Sequence, residues 1–247
     1  MRLVRADLHI HTALSPCAAD EMTPEAIVAT ACERGLEMIA ICDHNCAGNV
    51  GAVSEAAAGT ALAVLPGIEV TSAEEAHVVG LFPTASAANA AADELRERLP
   101  GTDEDYTRFF GEQWLFADDG TIRATETLAL AMATNLALGN VVALIKRFGG
   151  LAIAAHIDRP HFGVLGQLGF FPYEAGFDAI ELSRHAPSGS DAAVAARDHR
   201  LPIVHSSDAH FLDDLGGAST TLLVREPTFA ELVLALAAQD QRGIAHA

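Results

Sequence analysis

Short apolar runs alternate with helical patterns along most of this chain. "RLVRADLHI" at the start reads as a strand, because β-branched and apolar residues follow one another without a 3.6-residue spacing. "TPEAIVATACERG" reads as a helix, with Thr23 as N-cap, Pro24 at the first helical position and Gly35 past the end. "EMIAICDHN", "GTALAVLPGIEV" and "EEAHVVGLF" hold a second, third and fourth strand. An alanine-rich helix follows, from roughly Ser86 to Leu99. Residues 101–135 break the rhythm, and "GEQWLFADDGTIRAT" has the form of a hairpin turning at Asp119-Gly120. The alternation then resumes with the helix "NVVALIKRF" and the strands "LAIAAH", "FDAIELS", "LPIVHSSDAH" and "STTLLV". A last helix opens at Thr228, with Glu231 in capping-box position.

Repeated strand–helix units predict an α/β fold around a parallel sheet, open or closed into a barrel. The positions of the polar residues favour a barrel. His9, His11, Asp43, His44, Glu69, His156, Glu181, Asp208 and His210 all fall at or just beyond the C-terminal ends of predicted strands. Barrel enzymes gather their chemistry there from many strands, whereas an open sheet draws on fewer. The length of 247 residues suits one large domain, 1–247, with the 101–135 stretch as an insertion too short for a core of its own.

Composition narrows the possibilities. The formal net charge is −18, and no basic stripe is visible, which argues against a long nucleic acid as partner. No apolar run is long enough for a membrane span, and the first residues lack the apolar stretch of a signal peptide, so a cytoplasmic location is the default expectation. Cys17, Cys32, Cys42 and Cys46 form no C-x-x-C pair and read as reduced thiols, with Cys32 and Cys42 in the core.

A lone H-x-H is weak, since 11 histidines in 247 residues supply about half a match by chance. The set is the signal. H-x-H ends one strand, D-H the next, a glutamate the third, "AAH" another and "SSDAH" the last of the site strands. Imidazole and carboxylate together suit zinc, manganese or iron, and the donors are too many for one tetrahedral ion, so two or three divalent metals are implied.

In combination and order, "DLHIHT", "ICDHN", "GIEV", "AHI" and "SSDAH" resemble the PHP (polymerase and histidinol phosphatase) domain family, over roughly residues 5–225. The resemblance implies a distorted (β/α)7 barrel, TIM-barrel-like, with a di- or trinuclear centre and phosphoester hydrolysis. It makes His9, His11, Glu69 and Asp208 ligands of one metal. Glu69 would bridge to a second, completed by His77 and His156, and His44 and His210 would hold a third. The spacing of Asp208 and His210 also lets both face one way, as with His9 and His11. Where the family's third site takes an Asp or His, this chain has Pro16 and Cys17, with Asp20 and Glu21 slightly later. A Cys17 thiolate suits zinc; Asp20 is a harder, commoner ligand that needs a longer loop.

Asp43 reads as a hydrogen-bond acceptor for a ligand histidine, and Glu181 as a brace of the rim. His205 lies an odd step from Asp208 and should point away. His199 lies near a helix end, and His246 in a frayed tail. His161 and His185 are loop candidates for touching substrate. Arg159, three residues after His156, suits a phosphate, and similar phosphoesterases carry an arginine at that offset; its alternative is a surface ion pair. Arg184 is a weaker case of the same kind.

The leading expectation is a metal-dependent phosphoesterase acting on a small phosphomonoester or short nucleotide, with Arg159 and Asp208 as catalytic groups. The leaving-group acid is either a water or His185. A second expectation is an amidohydrolase-type hydrolase, although Lys146, the single lysine, falls in a helical pattern and speaks against members bridged by a modified lysine. A third is a non-catalytic, metal-stabilised regulatory module.

Overall fold

The structure is a computed structural model that describes residues 1–186 and 201–245. Strands β1 (Arg2–Ile10), β2 (Met38–Ile41), β3 (Ala63–Thr71), β4 (His77–Leu81), β7 (Leu151–Ala154), β8 (Ala179–Leu182) and β9 (Ile203–His205) follow one another around one sheet. An isolated parallel bridge between Ile10 and Ala209 ties the far side back to β1, and His11 N–H donates to the Ala209 carbonyl at 3.0 Å. Seven strands thus make a nearly closed barrel. Two further strands, β10 (Thr220–Val224) and β11 (Gly243–Ile244), extend the sheet beyond β1.

The sheet is mixed, which corrects the expectation of a parallel one. β1, β2 and β3 run parallel, as do β7, β8 and β9, but β4 is antiparallel to both β3 and β7, and β10 is antiparallel to β1. The reason is local. Only Ser72–Ala76 separate β3 from β4, too few residues for a crossover helix, so the chain turns straight back.

Helices α1 (Pro24–Glu33), α2 (Val50–Ala56), α3 (Ala85–Arg96) and α5 (Leu138–Arg147) pack outside the sheet. The signals at α1 act as expected: Thr23 Oγ1 accepts from Ala26 N–H, Pro24 begins the helix, and Gly35 takes a left-handed φ of +67°. Cys32, expected in the core, is instead exposed on α1, whereas Cys42 is buried. β2 shows how the sheet sorts its residues. Met38 and Ala40 join one apolar cluster with Val79 and Ile153, while Ile39 and Ile41 join another with Ile27, Val53 and Ile145 from the helices.

β1 departs from simple alternation in a way that builds the site. Val4, Ala6 and Leu8 belong to the first cluster, but Ile10 belongs to the helix-facing one. The register of β1 against β2 slips between Asp7 and Ile10. The slip exchanges the two faces, so that His9 and His11 point where Leu8 would otherwise predict an outward residue.

Residues 101–135 hold helix α4 (Glu104–Phe110) and the hairpin of β5 (Trp114–Phe116) and β6 (Ile122–Thr125), turned at Gly120 with φ +79°. The hairpin packs on the barrel rim. Trp114 N–H donates to Ala13 O at 2.9 Å, Asn49 donates to Trp114 O at 2.9 Å, and Leu14 and Cys46 cluster with Leu99, Leu115, Leu128 and Leu130. The last elements are α6 (Val164–Leu168) and α7 (Phe229–Leu236). Thr228 caps α7 through Glu231 N–H, but the Glu231 carboxylate serves Arg225 N–H and Arg242 rather than closing a capping box.

Candidate metal centre

Glu69 lies inside β3 with no exposed surface. Its Oε1 is 2.8 Å from His77 Nδ1, 3.1 Å from His156 Nε2 and 3.3 Å from His9 Nε2. Its Oε2 is 3.0 Å from His44 Nδ1 and 3.4 Å from His11 Nε2. Asp208 completes the ring, with Oδ1 at 3.0 Å from His11 Nε2 and 3.3 Å from His9 Nε2. His77 begins β4, and a bridge between His44 and Glu69 carries the β2–β3 ladder up to the site. His156 and Asp208 follow β7 and β9 with left-handed φ values of +25° and +49°, rare for residues with a Cβ. Asp208 is therefore not part of a regular strand. Its approach to His210 comes from this turn and from the 2.9 Å contact of His210 Nδ1 with Asp208 O, not from the strand alternation that the spacing suggested.

A second set of contacts orients the rings. His9 Nδ1–H donates to Glu181, 3.1 Å from each oxygen. Glu181 also accepts from His156 N–H at 3.1 Å, so it lies beneath the site, buried, and not at the rim as expected. His11 Nδ1–H donates to Ser15 Oγ at 2.8 Å, and Ser15 O–H donates to Asp43 at 2.7 Å. Asp43 thus acts on a site histidine through Ser15 and not by the direct bond expected; Thr12 supplies its other donors. With each Nδ1 so engaged, the Nε2 atoms of His9 and His11 face forward, 3.2 Å apart. The roles of Ser15 and Glu181 depend on contacts the sequence shows only in part: Ser15 is four residues from His11, but Glu181 is 172 residues from His9.

The electrostatics match a cation-binding site. Burial opposes charge at His9, yet the carboxylates of Glu181, Glu69 and Asp208 hold its pKa well above the usual range. Burial likewise pushes Glu69 up, but His77, His9 and His44 bring it well below the carboxylate range. His77 itself is pushed down by burial to about 4, against the opposing pull of Glu69. His44 Nδ1, His77 Nδ1 and Glu69 Oε2 are buried without a hydrogen-bond partner despite separations of 3.0 and 2.8 Å. Imidazole nitrogens and carboxylate oxygens that converge this closely suit a divalent ion, for which they are the ordinary donor set. Among the described residues, three groups have donor atoms mutually within 4.8 Å: His9, His11, Glu69 and Asp208; His44, Glu69 and His77; and His11, His44 and His210. The first matches the expected set. The second holds His44 where His156 was expected, while His156 contacts Glu69 directly.

Around this centre, Arg159 Nη1 lies 2.6 Å from Asp208 Oδ2 and the side chain is 39% exposed. It is ion-paired, but to the site's own carboxylate. Arg184 pairs with Asp214 and donates to His185 Nε2 at 3.1 Å, and both residues are exposed. His161 is exposed beside Phe162, whose ring stacks on His77 with centroids 4.6 Å apart. His205 is exposed and faces away, as expected. His199 and His246 lie outside the described residues. Cys17 Sγ approaches His44 Nε2 at 3.2 Å; burial works against its ionisation, but His44 and His210 bring the thiol down to about 6. Asp20 is occupied elsewhere, accepting from Trp114 Nε1 at 3.2 Å, and Glu21 is exposed.

A barrel with imidazoles and carboxylates converging at the ends of its strands defines the class. The chain belongs to the PHP domain family, whose model matches residues 7–185, and a PHP-associated model matches residues 189–240. It is similar to a 3',5'-nucleoside bisphosphate phosphatase of Chromobacterium violaceum, 24% identical over 251 residues, covering 84% of this chain and 82% of that protein. A 110-residue stretch is 33% identical to the uncharacterized protein YqxK of Bacillus subtilis, covering 42% of this chain but 28% of that protein. The fold is similar to that of the lesion-specific endonuclease Q of Pyrococcus furiosus, with a TM-score of 0.73 and 18% identity; 98% of this chain aligns with 58% of that one.

Proposed function

We propose that this protein is a metal-dependent phosphoesterase that hydrolyses a small phosphomonoester or a short nucleotide. The observation that carries the reading is Glu69, a buried carboxylate with nitrogens of His9, His11, His44, His77 and His156 all within 3.4 Å. In this reading His9, His11, Glu69 and Asp208 hold one divalent ion. Glu69 reaches a second with His77, His156 and His44, and His44 and His210 hold a third. Zinc, manganese and iron suit these donors. Ions bound there supply Lewis acidity and a water acidic enough to attack at neutral pH.

The chain's own groups do the positioning. Glu181 and Ser15 keep His9 and His11 turned with Nε2 forward. Asp208 uses Oδ1 toward the histidines and Oδ2 toward Arg159, so the guanidinium is fixed at the edge of the centre with further N–H groups free for phosphate oxygens. His185 enters the reaction as an acid only after releasing Arg184, which now occupies its Nε2. The similarity to a bisphosphate phosphatase supports a small phosphorylated substrate. The bridged-lysine form of amidohydrolase has no support, since Lys146 lies on α5 paired with Asp178 and Glu69 takes the central position.

The test is a screen of phosphorylated metabolites before and after chelation. Protein reloaded with manganese or zinc is expected to hold about two or more equivalents and to release phosphate, and chelation is expected to abolish turnover. Bound metal with no turnover on any ester would leave the regulatory-module reading. One equivalent or less after reloading would overturn the polynuclear centre.

A further inference from the structure

The loop after β7 carries an aromatic ring to the mouth of the centre that the proposed mechanism leaves unused. Phe162 is 42% exposed, yet its ring stacks on His77, with centroids 4.6 Å apart and planes inclined by 21°. One face of the ring is thus taken by a histidine of the centre, and the other is open.

The ring is held there by its backbone. Phe162 has a left-handed φ of +61°, rare for a residue of its size. Several contacts maintain that conformation. His77 N–H donates to Phe162 O at 2.8 Å, and Arg159 N–H closes a turn onto His156 O at 2.9 Å. Gly163 packs so tightly that a Cβ there would stand 2.5 Å from Arg159 O and 2.9 Å from His156 O. α6 then begins, with Gln167 N–H donating to Gly163 O at 3.0 Å. A strained residue fixed this firmly, with a large apolar side chain turned outward beside a polar centre, points to a use for that side chain. The same loop carries Arg159, whose Nη1 lies 2.6 Å from Asp208 Oδ2. It therefore reaches from Asp208 to His77, with a guanidinium at one end and a flat apolar ring at the other. Other aromatic residues around the mouth are less suited. Phe116 is buried, and the Trp114 indole donates to Asp20. Phe211 is exposed after His210, but among the described residues no ring stacks on it to hold it.

We propose that the open face of Phe162 is the platform on which the base of the substrate stacks, so that the site favours a nucleoside phosphate over a sugar phosphate. The phosphate is anchored at the centre beside Arg159, and the base lies on the ring. Every base has a π face, so the preference is for a planar base and not for one particular base. The inference deepens the phosphoesterase reading above and rests on it, and the experiment separates the two.

Metal-loaded full-length protein is assayed with adenosine 5'-monophosphate and ribose 5-phosphate, and the binding of each is measured in parallel by calorimetry. The wild type is expected to favour the nucleotide by about ten-fold or more in kcat/KM. Phe162→Leu keeps an apolar side chain over His77 and is expected to lose most of that preference, chiefly through a raised KM for the nucleotide. Phe162→Tyr is expected to keep it. An equal loss on both substrates in Phe162→Leu makes the ring a mere cover for His77 and overturns the platform. So does a wild type without preference, or a preference that survives Phe162→Leu; each of these leaves the phosphoesterase reading standing. If neither ester is hydrolysed, that reading falls and calorimetry decides the platform: tighter binding of the nucleotide that Phe162→Leu abolishes upholds it, and equal or absent binding overturns it too.

Discussion

Glu69 contributes a full negative charge to a position with no exposure, and its histidine neighbours make that state tolerable. Glu69→Gln keeps the shape and removes the charge. It is expected to lose at least one equivalent of divalent metal, and more than His44→Ala, because the carboxylate supplies the negative charge and its two oxygens contact nitrogens of five histidines. Elemental analysis after dialysis decides it, and a Gln variant with wild-type content and turnover would exclude Glu69 as a shared ligand. Arg159 makes a complementary case. Its half-exposed guanidinium contacts Asp208 Oδ2, whose Oδ1 faces the histidines, so Arg159→Ala should leave metal content unchanged. It should lower kcat/KM about ten-fold or more, roughly 1.4 kcal/mol of transition-state stabilisation. Unchanged kinetics would make Arg159 a mere partner of Asp208. At this scale the sequence announces donors well, since H-x-H, D-H and D-x-H stand out at strand ends. It conceals orienting groups. The bond from Glu181 to His9 joins residues that meet only once the barrel closes, and no spacing rule connects them.

The elements were legible where signals are local and strong. Thr23, Pro24 and Gly35 delimit α1 because each acts through its own backbone or the adjacent turn. Short helices such as α2 and α6, and the antiparallel course of β4, were not read, because a few residues of helix carry no clear period and strand direction depends on the connection. The register slip in β1 is a further case: the face of His9 and His11 is set by pairing with β2, not by alternation alone. Close packing of the same strands gives a prediction. A Cβ at Gly67 would stand 2.5 Å from Cys42 Sγ and 2.9 Å from the Ile41 carbonyl, a backbone atom of the neighbouring strand that cannot move aside. Gly67→Ala is expected to cost about 1–3 kcal/mol, seen as a Tm drop of several degrees. An unchanged Tm would mean that β2 and β3 can separate freely here. At the other end of the chain, Glu231 on α7 joins Arg242, just before β11, by a two-pronged ion pair. Arg242 and the N–H of Arg225 hold the Glu231 carboxyl at about 2, below its ordinary 4.5. A depressed value means that the pair stabilises the fold above the ordinary range and that this contribution drains away as pH falls from 4.5 toward 2. Tm measured across that window should therefore fall more steeply for the wild type than for Glu231→Gln; parallel curves would deny the pair a role.

For the whole molecule, charge decides which phosphates can approach. The chain carries 33 acidic residues against 15 lysines and arginines, a formal net of −18. Among the described residues, the positive charges are not gathered into a track. Arg96 pairs with Glu126, Arg147 with Glu94, Arg184 with Asp214 and Arg242 with Glu231, so these guanidiniums are already neutralised. Arg159 pairs with Asp208 at the centre itself. A polyanion approaching the mouth meets repulsion over its whole length and can release few counterions in return. A small phosphate ester would meet the same field over a short distance, and divalent ions held at the centre would provide local attraction for it. The rate constant kcat/KM is therefore expected to fall from nucleoside monophosphates through dinucleotides to longer single strands. Salt supplies an internal check. Added salt screens repulsion, so the disadvantage of the long substrates should shrink as ionic strength rises toward physiological values, where screening acts within about 8 Å. A nuclease that follows its substrate along a basic groove would show the reverse on both counts, with rates rising with length and collapsing with salt. Either reversal would overturn the small-substrate reading while leaving the metal-dependent phosphoesterase reading intact.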